Sequence, residues 1–303
     1  MTTSLATPVK EAIDEMILRD GGNLFRYHLG KIMPTLDDAY RESKYKFRPH
    51  MGASLQGNEC ARAIWYSFHW YTEPTFSARI QRLFNRGHME EGRFMAMLAM
   101  IGCEIHQYDA QGKQFTISGA AGHYGGSGDG VLRIVPGLDP SMYCLSEFKT
   151  HSDKSFKELV KKGMKVAKPE HYIQMQQYLV KMELPVGLYG AVNKNDDDLH
   201  FEYVERDMET GTRAIDRAEK IVWLQQPPER FGNPPSPGNL VCRWCDHKGV
   251  CWSKAAPAFN CRTCQFSVPT EAGGGQWVCS LYNGYVLTRD NQESGCASWK
   301  ERD

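Results

Sequence analysis

Apolar positions recur with a helical period over residues 77–101, where Leu83, Phe84, Phe94, Met95, Leu98 and Ile101 fall on one broad stripe. Beyond it the pattern shortens to that of strands, predicted at 103–108, 114–118, 126–135 and 142–149. Pro136-Gly137-Leu138-Asp139-Pro140 is dense in turn formers and predicts a hairpin between the last two. A helix follows at 168–182, with Met175, Leu179 and Met182 as its apolar stripe and Gln174, Tyr178 and Lys181 on the adjacent one. Residues 186–192 and 199–204 read as a second hairpin around the 193–198 turn, and 206–225 as a long helix. Residues 8–16 and 24–33 have helix-like content, so 1–53 reads as a mostly helical lead-in. Pro227, Pro228, Pro234, Pro235 and Pro237 mark an extended linker.

Composition narrows the class. With 303 residues, 41% hydrophobic and 24% charged, the chain has the make-up of a soluble globular protein with a proper core. Its longest apolar run, 94–101, is far too short to span a bilayer. Thirty-six basic residues balance thirty-six acidic ones, which argues against coating nucleic acid by bulk charge and leaves room for a local basic channel. Lys154, Lys157, Lys161 and Lys165 recur at helical spacing, a basic face for backbone phosphates or else a solvated lysine helix. No secretory signal is evident, so a cytoplasmic, reducing location is expected and the ten cysteines suit metal better than disulfides. There are no repeats, phosphate-binding glycine loop or helicase motifs, so ATP-driven translocation would need a partner protein.

The chemistry concentrates where the strands end. Asp129 opens one short apolar run, and Glu147-Phe148-Lys149 closes the next. Side chains alternate along a strand, so Glu147 and Lys149 share a face while Phe148 packs on the other. Asp129 on the neighbouring strand can meet Glu147 over one metal ion, as metal-dependent phosphodiester cleavage requires. His88 and Glu91 sit three apart on the upstream helix, and either could complete a hard divalent cation site. Cys242-x2-Cys245-x5-Cys251 lacks one ligand, and Cys60 supplies a fourth; spacing alone does not separate zinc from a cubane cluster. Cys261-x2-Cys264, Cys279 and Cys296 lie in a short Gly-rich tail, for which a four-cysteine zinc site is the economical expectation. Cys103 and Cys144 are expected to be packing residues.

The order of these motifs resembles the PD-(D/E)XK nuclease superfamily. Glu91 stands four residues after Gly87, as an acid or histidine does in many of its members, and Gln174-Met175-Gln176-Gln177-Tyr178 matches the glutamine–tyrosine signature of the RecB-type branch. One cysteine before this core and three after it resemble the AddB-like and CRISPR-associated four-cysteine nucleases, in which a [4Fe-4S] cluster staples the chain. The resemblance implies an α/β, restriction-endonuclease-like mixed sheet flanked by helices. The nuclease domain would be 54–253, closed by the iron–sulfur staple, and 254–303 a small four-cysteine module. It implies a Mg2+- or Mn2+-dependent deoxyribonuclease, favouring exonucleolytic action on single-strand ends. Asp129, Glu147, the Phe148 carbonyl and Glu91 or His88 would hold metal; Lys149 would orient or deprotonate water; Gln174 and Tyr178 would position the site. Cys60, Cys242, Cys245 and Cys251 would hold the cluster, and Arg62 and Arg86 would contact phosphates. A helicase or recombination partner is expected, and no membrane. The rival expectation is a non-catalytic iron–sulfur or zinc module that binds DNA or another partner.

Overall fold

The computed structural model describes residues 3–36, 40, 45–109 and 111–302. The chain folds into two compact units, each assembled from separated segments: Met1–Glu42, Phe76–Ile117 and Ser127–Thr212 in one, Ser43–Thr75, Ser118–Gly126 and Arg213–Asp303 in the other.

The first unit is a six-stranded mixed sheet flanked by helices. Its elements are β1 (Thr3–Leu5), α1 (Thr7–Asp20), α2 (Asn23–Ile32), α3 (Ala78–Met100), β2 (Glu104–His106), β3 (Gly130–Arg133), β4 (Cys144–His151), α4 (Asp153–Lys162), α5 (Met164–Ala167), α6 (Pro169–Lys181), β5 (Val186–Asn193) and β6 (Leu199–Glu205). Strand order is β1-β6-β5-β4-β3-β2. Only β4 and β5 run parallel, in register from Cys144↔Val186 to His151↔Asn193. A parallel pair cannot be joined by a tight turn, and α4–α6 make the crossover. The helix α3 starts where Ser77 caps it, its side chain accepting from Ile80 N.

Alternation along β4 divides the sheet into two environments. Cys144 and Phe148 point into the core with Phe94, Met95 and Leu98 of α3, Ala6, Val9 and Ile13 at α1, and Leu188, Val192 and Phe201 of β5 and β6. Phe94 stacks on Phe148 with ring centres 4.8 Å apart, and Phe201 meets Phe94 edge-on. Gly190 leaves the room for this trio: a Cβ there would lie 2.9 Å from Phe148 and 3.0 Å from Phe201. Cys103 and Cys144 belong to this core, as packing residues should.

Four features depart from the sequence pattern. The long strand expected at 126–135 is two, Tyr124–Ser127 and Gly130–Arg133, broken at Gly128-Asp129. Leu83 and Phe84 are 38% and 46% exposed, so the buried stripe of α3 occupies only its second half. Phe84 rests instead edge-on against Phe76. Glu90, a carboxylate off the apolar stripe, is nevertheless buried and paired with Arg93, which also holds Asp197 at 2.8 Å. The lysine face is not one helix, because Gly163 at φ 74° ends α4 and places Lys165 on α5.

In the second unit, the helix Ala61–Phe68 and residues just after it supply a buried aromatic group of Trp65, Phe68, Trp70 and Tyr71. An antiparallel meander of three short strands follows, Ser267–Pro269, Trp277–Cys279 and Tyr285–Leu287. Arg262, 1% exposed, joins the C-terminal part to these aromatics. Its guanidinium lies 3.8 Å over Trp70 and 4.6 Å over Trp277, and donates to Phe68 O, Pro49 O and Gln292 Oε1. Among the described residues no helix is long and apolar enough to cross a membrane.

Candidate active site and cysteine groups

The break at Gly128-Asp129 builds the acidic site. Gly130 pairs with Ser146, so an unbroken strand would put Gly128 opposite Phe148. Gly128 N–H turns instead to Phe115 O, and Phe148 N–H donates to Asp129 Oδ2 at 2.9 Å. The side chain replaces a ladder bond and is thereby fixed beside β4, between the residues that carry Glu147 and Lys149. Tyr178 anchors the approach to the break, its hydroxyl donating to Ser127 O at 2.9 Å.

Glu147 and Lys149 lie on the face opposite the Phe148 core. The Lys149 ammonium donates to Glu147 Oε1, and Gln174 Nε2 donates to the same oxygen at 3.1 Å. Glu147 is 1% exposed at its side chain and Lys149 29%, so the pair is buried at its acidic end and open at its basic one. Glu147 Oε2 is buried with no hydrogen-bond partner among the described residues. Such an atom costs stability unless something else satisfies it.

Burial sets the electrostatics. It pushes Glu147 up to about 7 against the pull of Lys149, with Asp129 adding to the rise. Asp129 goes up to about 6, again by burial, opposed by Lys149 and reinforced by Glu91. Glu91 rises to about 7 through burial and the Glu147 charge, against Lys149. Burial pulls Lys149 down, but Glu147, Asp129 and Glu91 together outweigh it and hold the ammonium well above its usual range. Three carboxylates thus surround one cation. On the α3 side, Gly87, Glu90, Glu91, Phe94, Phe148, Lys149 and Thr150 line a cavity of about 170 Å3. His88 is exposed and does not line it, so of the two helix-borne candidates only Glu91 is brought to the site.

A hard divalent cation fits this donor set: the oxygens are carboxylate, one is buried without a partner, and negative charge exceeds positive. The side chains do not form a closed shell, however. Among the described residues no group of three or more His, Cys, Asp or Glu stands as a ready metal site. Here the cation among the carboxylates is the Lys149 ammonium.

A buried polar network next to this site had not stood out in the sequence. Tyr189 Oη bonds His151 Nε2 at 3.0 Å and His171 Nδ1 at 2.9 Å, while His151 Nδ1 reaches Ser155 Oγ. Burial lowers both imidazoles, with Lys168 and other lysines adding to the effect, His151 to about 4 and His171 to about 3. The available signal was His171 standing three residues before Gln174 on one helical face.

The basic candidates are dispersed. Lys154, Lys157, Lys161 and Lys165 are exposed; Lys157 pairs with Asp153, and Lys165 lies 3.7 Å from Asp207 and over the Tyr172 ring. Arg86 is exposed and reaches Lys194 O. Arg62 belongs to the second unit, where it donates to Pro228 O and Tyr66 Oη.

Both cysteine groups also lie in the second unit. Cys60, Cys242, Cys245 and Cys251 all line one cavity of about 200 Å3, with Arg62, Tyr66, Trp244 and Trp252 among its other walls. Cys60 caps the helix Ala61–Phe68, its sulfur accepting from Ala63 N at 3.4 Å. All ten cysteines are free thiols.

No family model matches the chain, and no curated protein matches it. Among solved structures it is similar to LHK-Exo in complex with dAMP, at 15% identity over 57% of this chain and 86% of that one, with a TM-score of 0.43. It is similar to SSO0001 at 16% identity, over 77% of this chain and 96% of that one, with a TM-score of 0.39. The alkaline exonuclease LHK-Exo from Laribacter hongkongensis matches at 14% identity over 57% and 86%, with a TM-score of 0.41.

Proposed function

We propose that the chain is a Mg2+- or Mn2+-dependent deoxyribonuclease of the RecB-type PD-(D/E)XK kind. The observation that carries this reading is the convergence of Asp129, Glu147 and Lys149, through the Asp129 bond to Phe148 N–H. Asp129 and Glu147 would hold the metal, with Glu91 and the Phe148 carbonyl as further donors. When bound, the metal supplies a nucleophilic water and offsets charge on the phosphate under attack.

The chain's own residues do the rest. Lys149, kept protonated at neutral pH by the carboxylates around it, acts as a hydrogen-bond donor. It orients the attacking water and faces the negative charge that develops on phosphorus oxygens. A protonated ammonium suits orientation of the water better than its deprotonation. Gln174 fixes Glu147 through Oε1, leaving Oε2 for the cation. Tyr178 holds the backbone just before Asp129. Exposed Lys154 and Lys161 are the simplest phosphate contacts, because neither is held in the ion pairs that engage Lys157 and Lys165. Exonucleolytic action on single-strand DNA ends is the activity proposed. In the second unit Cys60, Cys242, Cys245 and Cys251 would hold a [4Fe-4S] cluster, supported by their shared cavity and by thiolate chemistry.

The test is cleavage of end-labelled single-strand, blunt duplex and circular DNA with Mg2+, Mn2+ or a chelator. Metal-dependent loss of the end-labelled strands, with circles spared, is expected. No cleavage of any substrate with either metal would refute the reading. Protein purified without oxygen should be brown, and Cys245→Ser should bleach it.

A further inference from the structure

The geometry points to a second, separate metal centre: Cys261, Cys264, Cys279 and Cys296 form a structural zinc site that pins the C-terminal meander. Three elements bring the four cysteines into one neighbourhood, although among the described residues no group of three or more stands as a ready metal site. Cys261 and Cys264 flank a tight turn closed by Cys264 N–H on Cys261 O at 2.9 Å and capped by the Asn260 side chain on Thr263 N–H. Cys279 ends the central strand of the meander opposite Ser267, whose N–H in turn bonds Cys264 O. The helix Arg289–Ser294 brings the last: Cys261 Sγ reaches Asn291 O at 3.2 Å, and Gly295, the neighbour of Cys296, bonds the same carbonyl.

The meander needs such a staple. Its strands have three residues each, and Trp277 and Leu287 are its only buried large apolar side chains among those described. Leu281, Tyr282, Tyr285 and Val286 of the same segment are exposed. With so little apolar burial, a structural metal would add to the Arg262 anchor in holding a segment this small. Four thiolates are soft donors, which select zinc over a hard cation. Cys261 and Cys264 are buried already, while Cys279 is half-buried and Cys296 exposed. Closure of the site would require these two outer side chains to turn toward the buried pair.

The inference stands apart from the nuclease reading and is tested without it, by metal analysis on the full-length protein. One zinc per chain is expected, retained in Cys103→Ser and in Cys245→Ser. Cys264→Ser, Cys279→Ser and Cys296→Ser should each lose it, with any iron kept. The Cys296 position is exposed, so that variant is expected to fold even if the buried ones do not. Cobalt substituted for zinc should show sulfur-to-metal charge-transfer and tetrahedral ligand-field bands, absent in Cys296→Ser. Wild-type protein that takes up neither zinc nor cobalt would overturn the assignment. So would iron in its place, unchanged zinc in Cys296→Ser, or zinc lost equally in Cys245→Ser.

Discussion

Asp129 Oδ2 accepts the backbone N–H of Phe148 at 2.9 Å, so one carboxylate both completes a broken sheet ladder and stands beside the Glu147–Lys149 pair. The two roles separate by substitution. Asp129→Asn keeps an oxygen for Phe148 N–H and removes the charge. It should fold with nearly unchanged Tm while losing more than about 100-fold in metal affinity or cleavage. Asp129→Ala should also lose about 1–3 kcal/mol of stability, because a buried N–H is left unpaired. Equal Tm losses in the two variants, measured by thermal denaturation, would show that the bond to Phe148 contributes nothing.

The aromatic trio behind β4 makes a prediction about stability alone. Gly190→Ala would place a methyl 2.9 Å from Phe148, 3.0 Å from Phe201 and 3.2 Å from Phe94. Overpacking of this kind costs about 1–3 kcal/mol. Urea denaturation of Gly190→Ala should show a lowered midpoint with an unchanged slope. Phe148→Leu in the same background should recover part of the loss, since it removes the nearest obstructing ring.

Much of this site was legible because alternation in a strand is a rigid rule: Glu147 and Lys149 on one face and Phe148 on the other follow from spacing alone. The helix α3 was legible from its apolar period, of which Phe94, Met95 and Leu98 run into the core. Other features were not. The bend at Gly128-Asp129 depends on Phe115, distant in sequence, accepting the N–H that an unbroken strand would have used for pairing. Burial of Glu90 depends on Arg93 and on Asp197 in the β5–β6 turn, a tertiary arrangement with no local signature. The edge strand Thr3–Leu5 pairs with β6 through three residues of mixed polarity, too short a run for any periodicity to show. Interleaving of the two units leaves no composition shift at its crossings, because the same chain contributes apolar segments to both cores.

The raised carboxylates predict how stability changes with pH. Asp129, Glu91 and Glu147 have folded-state values of about 6, 7 and 7, above the ordinary range for their side chains. The folded protein therefore binds more protons than the unfolded chain across that interval, and its stability falls as pH rises through it. Metal-free protein should have a higher Tm at about pH 5 than at about pH 8, and Glu147→Gln should flatten the slope. Metal binding needs the deprotonated forms, so Mn2+ should raise Tm most at the alkaline end, with proton release detectable in weakly buffered titrations. A pH slope that is the same in wild type and Glu147→Gln would place the titrating groups elsewhere.

Lys149 provides the sharpest separation of chemistry from binding. Its ammonium faces Glu147, Asp129 and Glu91, whose attraction exceeds the penalty of burial and keeps it charged. In Lys149→Ala three carboxylates lose their cation, so metal-free protein should be less stable at alkaline pH, and added Mn2+ should restore Tm. DNA affinity should change little, because phosphate contacts are spread over several basic side chains and this change removes one. Cleavage should fall by about 100-fold or more, the cost of losing one donor aimed at developing charge. Lys149→Arg keeps the charge but not the compact ammonium; it should retain stability and binding while remaining impaired in cleavage. Stopped single-turnover cleavage alongside equilibrium binding to the same end-labelled strand measures both quantities. Wild-type-like cleavage by Lys149→Ala would reduce Glu147-Phe148-Lys149 to a buried ion pair at a strand end, and would remove the basis for the nuclease reading.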